Sequence, residues 1–230
     1  MTETSPYRFY GRRQGKKRSA RQQHLLDDVL PRFRVDPANP REGCADGKPL
    51  WLEIGFGGAE HLIGQAKAHP DVCLIGCEPF LEGVVKALEG LEAEGLDNVR
   101  IQDEDVRHLL AQLAEACIDR TFILFPARWP KTRHHKRRIV STPTLDSLAR
   151  VMRPGATLRI ATDHMGYGRW ILFHVLRHPA FRWTAERVGD WLDVPPDHVT
   201  TRYQSKLLAG SIPLFLTFER LQTQGGREEG

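Results

Sequence analysis

Cysteine is scarce in this 230-residue chain: Cys44, Cys73, Cys77 and Cys117 are the only four, and no C-x-x-C pair occurs among them. So few and so scattered, they do not make a disulfide-dense scaffold, and the missing pair excludes the common zinc and dithiol sites. Cys73 and Cys77 lie in a stretch that reads as a strand, about 13 Å apart at the strand rise, too far to bridge. A reducing, cytoplasmic compartment is expected. No apolar run approaches the roughly 18 residues of a membrane span. Met1 to Gln23 is polar and basic without the apolar centre of a secretory signal, so neither membrane insertion nor export is expected. Ten histidines are present, but H-E-x-x-H and paired Cys/His spacings are not, so no metal is expected.

What remains is ordinary globular material, 40% hydrophobic and 27% charged, of a length that suits one large α/β domain. The formal charge of +4 conceals an asymmetry. Arg8 to Arg21 holds seven Lys/Arg and Arg128 to Arg138 holds six, with no acid in either. These 13 of the 33 basic residues leave 20 to face 29 acidic ones, so the rest of the chain carries a net −9. An acidic body with two concentrated basic segments suits a polyanion partner, because phosphate contacts dominate nucleic-acid affinity through counterion release. A single such run usually marks a solvated face; two make that reading weaker. The histidines are read as structural or RNA-facing.

Short apolar runs alternate with segments of helical period. Leu50 to Ile54, Val72 to Cys77, Val99 to Gln102, Thr121 to Phe125 and Thr157 to Ala161 read as buried strands. Ala59 to Ala68, Leu81 to Glu94, Val106 to Ala116 and Thr144 to Met152 read as helices, with Gly95 and Pro154-Gly155 as stops. A helix from Tyr167 to Arg177, a strand near Phe181 to Thr184, a long loop from Gly189 to Ser211 and a strand from Leu214 to Glu219 follow. Such alternation predicts a mostly parallel sheet with helices on both faces and ligands beyond the C-terminal strand ends. Residues 1–48 form a basic tail and polar lead-in, 49–220 the domain, and 221–230 a polar tail.

The first strand runs into Glu53-Ile54-Gly55-Phe56-Gly57-Gly58-Ala59, a glycine turn opening a helix. A dinucleotide fingerprint needs a third Gly where Glu60 stands, and an acid there opposes a pyrophosphate, so NAD is disfavoured. S-adenosylmethionine carries no phosphate, and its amino group and sulfonium are cationic, which makes Glu53 a partner. Glu78 ends the second strand where a carboxylate can accept from ribose hydroxyls. Asp105 follows the third strand, placed for an adenine amino group or a helix N-cap.

The segment Phe125-Pro126-Ala127-Arg128-Trp129-Pro130-Lys131-Thr132-Arg133-His134-His135-Lys136-Arg137-Arg138 is the most specific. Together with Gly11-Arg12-Arg13, Leu52 to Gly57, Gly76 to Glu78, Ala161-Thr162-Asp163 and Thr201-Arg202-Tyr203, it resembles the tRNA (guanine-N7)-methyltransferase family over nearly the whole chain. The resemblance implies a Rossmann-like class I methyltransferase fold with a seven-stranded sheet, S-adenosylmethionine as cofactor, and N7 of a guanine in the tRNA variable loop as acceptor. It implies Glu53, Gly55, Gly57, Glu78 and Asp105 at the cofactor, and Lys131, Asp163, Thr201, Arg202, Tyr203 and Gln204 at the substrate. Arg12, Arg13, Arg133, Lys136, Arg137 and Arg138 suit tRNA phosphates, and Trp129 or Tyr203 suits stacking on a base. A carboxylate at Asp163 matches the N1-H and N2 amine of guanine. Trp51 and Trp170 fall in regular elements and read as core. No obligate protein partner is evident.

Two motifs depart from the family pattern. Where the family has Phe-Pro-Asp-Pro-Trp, with the Asp regarded as catalytic, this chain has Ala127 and Arg128; where its late motif ends in Glu, this chain has Gln204. N7 of guanine already carries an in-plane lone pair and no proton, so transfer needs alignment more than a base. Removing an acid beside the cationic product costs on the order of 10²- to 10³-fold, by analogy with oxyanion-hole donors. Impaired or altered catalysis is therefore expected, with Asp103 or Glu104 as candidate replacements. The alternatives are a tRNA-binding relative without turnover, and a nucleotide-dependent oxidoreductase on the same fold.

Overall fold

The computed structural model describes residues 13, 15, 17–44, 47–200, 204 and 212–222. Seven strands make one sheet in the order β3-β2-β1-β4-β5-β7-β6, so the expected mostly parallel, class I architecture is what the chain adopts. The chain divides into two compact units, Met1–Leu113 with Pro195–Ser211, and Ala114–Val194 with Ile212–Gly230.

In the first unit, β1 (Leu50–Ile54), β2 (Cys73–Cys77) and β3 (Val99–Gln102) are parallel neighbours. Ile54 lies opposite Cys77, and Cys77 opposite Gln102, so the three strands end level. Whatever follows them, Gly55, Glu78 and Asp105 included, is brought to one edge. Every residue of β2 is buried, as a strand covered on both faces must be. Helices α3 (Glu60–Ala68), α4 (Leu81–Glu94) and α5 (Val106–Gln112) connect or follow these strands. Gly95, in the left-handed conformation with φ 61°, ends α4 as its sequence indicates. Asn98 donates its side-chain amide to the carbonyls of Ala66, His69 and Val72 at 3.0–3.1 Å, satisfying the backbone where α3 gives way to β2.

The basic lead-in contains structure that its charge concealed. Ser19 opens a capping box with Gln22, and the chain stays helical through α1 (Ala20–His24), a π-helical turn (Leu25–Val29) and α2 (Leu30–Phe33). Leu25, Val29 and Leu30 belong to the core cluster of this unit. Cys44 and Cys73 are joined by a disulfide, whereas Cys77 and Cys117 are buried and free. The scatter in sequence thus hid one pairing across 29 residues.

In the second unit, β4 (Ile118–Leu124) runs parallel to β5 (Met152–Thr162), and β7 (Leu214–Arg220) returns antiparallel between β5 and β6 (Phe181–Trp183). Both β4 and β5 begin earlier than their apolar runs. A register shift between Ile118 and Arg120 lets Arg153, Pro154 and Gly155 ride in the strand, and Arg153 pairs with Asp119 at 2.8 Å. Helices α6 (Thr142–Val151), α7 (Met165–Val175) and the short α8 (Gly189–Leu192) complete the unit. Among the described residues no helix is long and apolar enough to cross a membrane.

Candidate active site

The turn after β1 is shaped by glycines in the left-handed region, with open space beside them. Gly55 and Gly57 have φ of 77° and 54°, and a Cβ built on either meets no atom within 4 Å. The backbone is therefore bent into a conformation that favours glycine, beside space for a ligand. Glu78 holds the turn in place: Oε2 accepts from the Gly57 N–H at 3.0 Å and Oε1 from the Phe80 N–H at 2.9 Å. Burial pushes the Glu78 carboxyl above its ordinary value, against the pull of these two bonds. Gly83, in the first turn of α4, leaves room for the Gly57 carbonyl, which a Cβ there would strike. Nothing in the sequence around Gly83 marks this contribution.

Glu53 is 3% exposed at the end of β1 and meets His61 of α3, 1% exposed, with Nδ1 2.8 Å from Oε2. Asp105 is the N-cap of α5, accepting from the Arg107 N–H at 3.0 Å and from its guanidinium at 2.6 and 2.9 Å. Burial works to raise this carboxyl, but the Arg107 bonds outweigh it and hold it below its ordinary value. The thiol of Cys77, inside the same cradle, is pushed well up by burial and then by the charges of Asp105 and Glu78. The cradle is thus electronegative. It suits a cationic ligand with hydroxyl and amino donors, and it opposes a phosphate. Asp103 and Glu104, the candidate replacement acids, are engaged with Arg34 at 3.2 Å and Arg13 at 3.7 Å. The charge of Arg13 is accordingly matched by a carboxylate. Gln204 Oε1 lies 2.7 Å from His198 Nε2. Arg12, Thr201, Arg202 and Tyr203 fall outside the described residues.

In the second unit the basic segment follows β4. Phe125, whose N–H donates to the Ala161 carbonyl at 2.8 Å, has φ 49°, and Trp129 has φ 43°. Ala127 and Arg128 between them are exposed. A 3₁₀ helix, Thr132–Arg137, then presents Arg133 and Lys136 to solvent, with Lys131 exposed at its N-cap. Arg137 lies over the Trp129 ring at 5.1 Å, and His134 meets the same ring edge-on. Desolvation, with Arg137, Arg133, Lys131 and Lys136 around it, keeps His134 below its ordinary value, the signature of a concentrated positive field.

Arg138 differs from its neighbours. It is 6% exposed, its guanidinium lies 4.8 Å from the Tyr167 ring and 4.7 Å from the Trp170 ring, and its Nε donates to the Arg128 carbonyl at 2.9 Å. Its charge is engaged inside the unit, which does not suit the phosphate contact expected of it. Trp170 donates to the Val140 carbonyl at 2.7 Å but is half-buried, not the core residue its place in a regular element suggests. Trp51 is half-buried against His69. Asp163 follows β5, half-buried, beside Thr162 and His164, which cap the start of α7.

Comparison with known proteins follows the same lines. The family model described as "Putative methyltransferase" matches residues 47–215. Among solved structures, the 16S rRNA methyltransferase KamB superposes with a TM-score of 0.60 at 16% identity, over 82% of this chain and 95% of that one. A 16S rRNA (adenine(1408)-N(1))-methyltransferase from Catenulisporales acidiphilia, solved with the cosubstrate SAM, gives 0.56 at 17%, over 83% and 94%. These likenesses speak for the fold. In sequence, the tRNA (guanine-N(7)-)-methyltransferase of Rhodospirillum rubrum is 48% identical over 94% of this chain and 89% of its own. That of Hyphomonas neptunium is 47% identical over 92% and 98%, and that of Caulobacter vibrioides 45% over 94% and 96%. With identity of this order along nearly the full length of each relative, and with a glycine cradle and basic segment where the motifs place them, the chain belongs to the tRNA (guanine-N7)-methyltransferase family.

Proposed function

We propose that this protein transfers the methyl group of S-adenosylmethionine to N7 of a guanine in the tRNA variable loop. The observation that carries the reading is the electronegative glycine cradle beyond β1, β2 and β3, a donor set suited to a cation rather than a phosphate. The cofactor supplies an electrophilic methyl group on a sulfonium. Glu53 accepts from the cationic amino group, Glu78 from ribose hydroxyls, and Asp105, already bonded to Arg107, offers a remaining lone pair to the adenine amine. The open backbone at Gly55 and Gly57 lets the cofactor approach closely.

Asp163 accepts from guanine N1-H and the N2 amine, and so selects guanine over adenine. Lys131, with Thr201, Arg202, Tyr203 and Gln204, steadies the nucleotide, while Arg133, Lys136, Arg137 and the tail residue Arg12 meet phosphates; Arg13, paired with Glu104, meets one only by giving up that partner. Arg138 keeps the segment in shape. No general base is needed, because N7 presents its lone pair unprotonated; the residues contribute alignment. With Ala127 the base has Asp163 on its N1 and N2 edge but lacks the family's second carboxylate, which leaves the developing positive charge less stabilised and lowers the rate without closing the reaction. A tRNA substrate suits work in the cytoplasm; the domain includes the helical run from Ala20 to Phe33, whose Leu25, Val29 and Leu30 share the core, and the basic residues before it serve the RNA. Transfer of labelled methyl to unmodified tRNA, with cleavage at N7-methylguanine, tests the reading. Label at a variable-loop guanine supports it, whereas tRNA binding with no transfer at any enzyme concentration refutes it.

A further inference from the structure

One face of α3 receives the chain that leads to Gln204. Gln65 donates its amide to the Asp197 carbonyl, Gly64 leaves the space that Val199 fills, and His61 sets its ring beside that of His198 at 5.6 Å. A Cβ at position 64 would sit 2.6 Å from a Val199 methyl, so the approach is as close as side chains allow. Positions 61, 64 and 65 share a helical face by their spacing. The other side of His61 belongs to the cradle. A carboxylate accepts and cannot donate, so the 2.8 Å contact with Glu53 requires the proton on His61 Nδ1. A nearly enclosed carboxylate without such a donor is costly, and one donor at a fixed angle also sets the plane of its oxygens. At the far end, the amide oxygen of Gln204 accepts from His198 Nε2 at 2.7 Å.

We propose that His61 is a positioning residue for the reaction: it aims the Glu53 carboxylate at the cofactor and, through its contact with His198, links that carboxylate to Gln204 in the late substrate motif. The proposal rests on the reading of Glu53 as a cofactor contact. It also gives the departure at 204 a physical sense. A carboxylate there would favour a protonated His198 beside His61, setting a second charge against the Glu53 pair. Neutral Gln204 keeps Glu53 as the single anion of this four-residue chain. Because linkage is reciprocal, a ligand that presses on one end is felt at the other.

Calorimetric titration of the full-length protein with S-adenosylmethionine, alongside steady-state methylation of tRNA, provides the test. His61→Leu keeps bulk and removes the donor; His61→Asn retains an N–H near the Nδ1 position. The expected outcome is a loss of cofactor affinity of about ten- to hundredfold for His61→Leu, most of it restored in His61→Asn. Equal affinities in the two variants and the parent overturn the proposal, as do equal losses in both. His198→Phe, which keeps a ring and drops the bond to Gln204, is expected to raise KM for tRNA about threefold or more with a smaller change in cofactor affinity. No change in either constant overturns the link to Gln204. In the unaltered protein, the imidazole nitrogen signals of His61 should report protonation at Nδ1 and move on cofactor addition; signals that stay still overturn the proposal without any variant. A parent protein that binds no S-adenosylmethionine overturns the cofactor reading itself, and this inference with it.

Discussion

Replacing Arg138 by alanine separates two uses of one positive charge. If Arg138 met tRNA phosphate, its loss would leave stability unchanged and reduce the salt slope of tRNA binding by about 0.7–0.9 in log units. The structure points elsewhere. The guanidinium lies between the rings of Tyr167 and Trp170 and donates to the Arg128 carbonyl, with only 6% of the residue exposed. A desolvated cation–π site contributes about 2 kcal/mol and a charged hydrogen bond about 1.5–3 kcal/mol, so Arg138→Ala should cost about 3–5 kcal/mol of stability. With a urea dependence on the order of 2 kcal/mol per molar, the unfolding midpoint falls by about 1.5–2.5 M. Arg138→Lys should recover little, because an ammonium lacks the planar face that lies between the two rings. Urea unfolding and filter binding at several salt concentrations measure both quantities. An unchanged midpoint together with a reduced salt slope would refute the reasoning.

Three further outcomes follow from the two units. Because burial raises the Glu78 carboxyl, the unfolded chain gives up this proton first as pH climbs from near 4.5, so the group's contribution to stability is lost across the window up to its raised folded value. Glu78→Gln should flatten stability against pH there and remove a matching rise in cofactor affinity with pH; identical pH profiles in parent and variant contradict this. Ala127→Asp should raise turnover on the order of 10²-fold with tRNA affinity nearly unchanged, and no gain in single-turnover rate sinks the electrostatic account. Asp163→Ala should abolish methylation and leave cofactor binding intact; lost cofactor binding in calorimetry places Asp163 in the other pocket.

The cradle was legible because its chemistry is local. Glycines after an apolar strand report a left-handed turn, and Glu53, Glu78 and Asp105 lie within three residues of strand ends that the apolar runs mark. What escaped was decided by distant packing. His61 gives no sign in its neighbourhood that its ring lies against Glu53, and a search for metal spacings passes over it. Arg138 reads as one more basic residue until Tyr167 and Trp170, some thirty residues on, enclose it. The helical run from Ala20 to Phe33 carried its signal in Leu25, Val29 and Leu30, but charge density in the lead-in outweighed that pattern. At the start of β5, Pro154 and Gly155 look like a stop, yet the neighbouring strand and a shifted register carry the strand through them.

The loop that begins at Phe125 holds two side-chain-bearing residues in a left-handed backbone, one of them directly before Pro130. Such conformations cost about 1–3 kcal/mol each and persist only where the surroundings impose them. Here Arg138, fixed between its two rings and bonded to the Arg128 carbonyl, fastens the loop from outside. None of these contacts uses the side chain at position 127. A substitution at that position can therefore change the local charge while both fastenings stay in place.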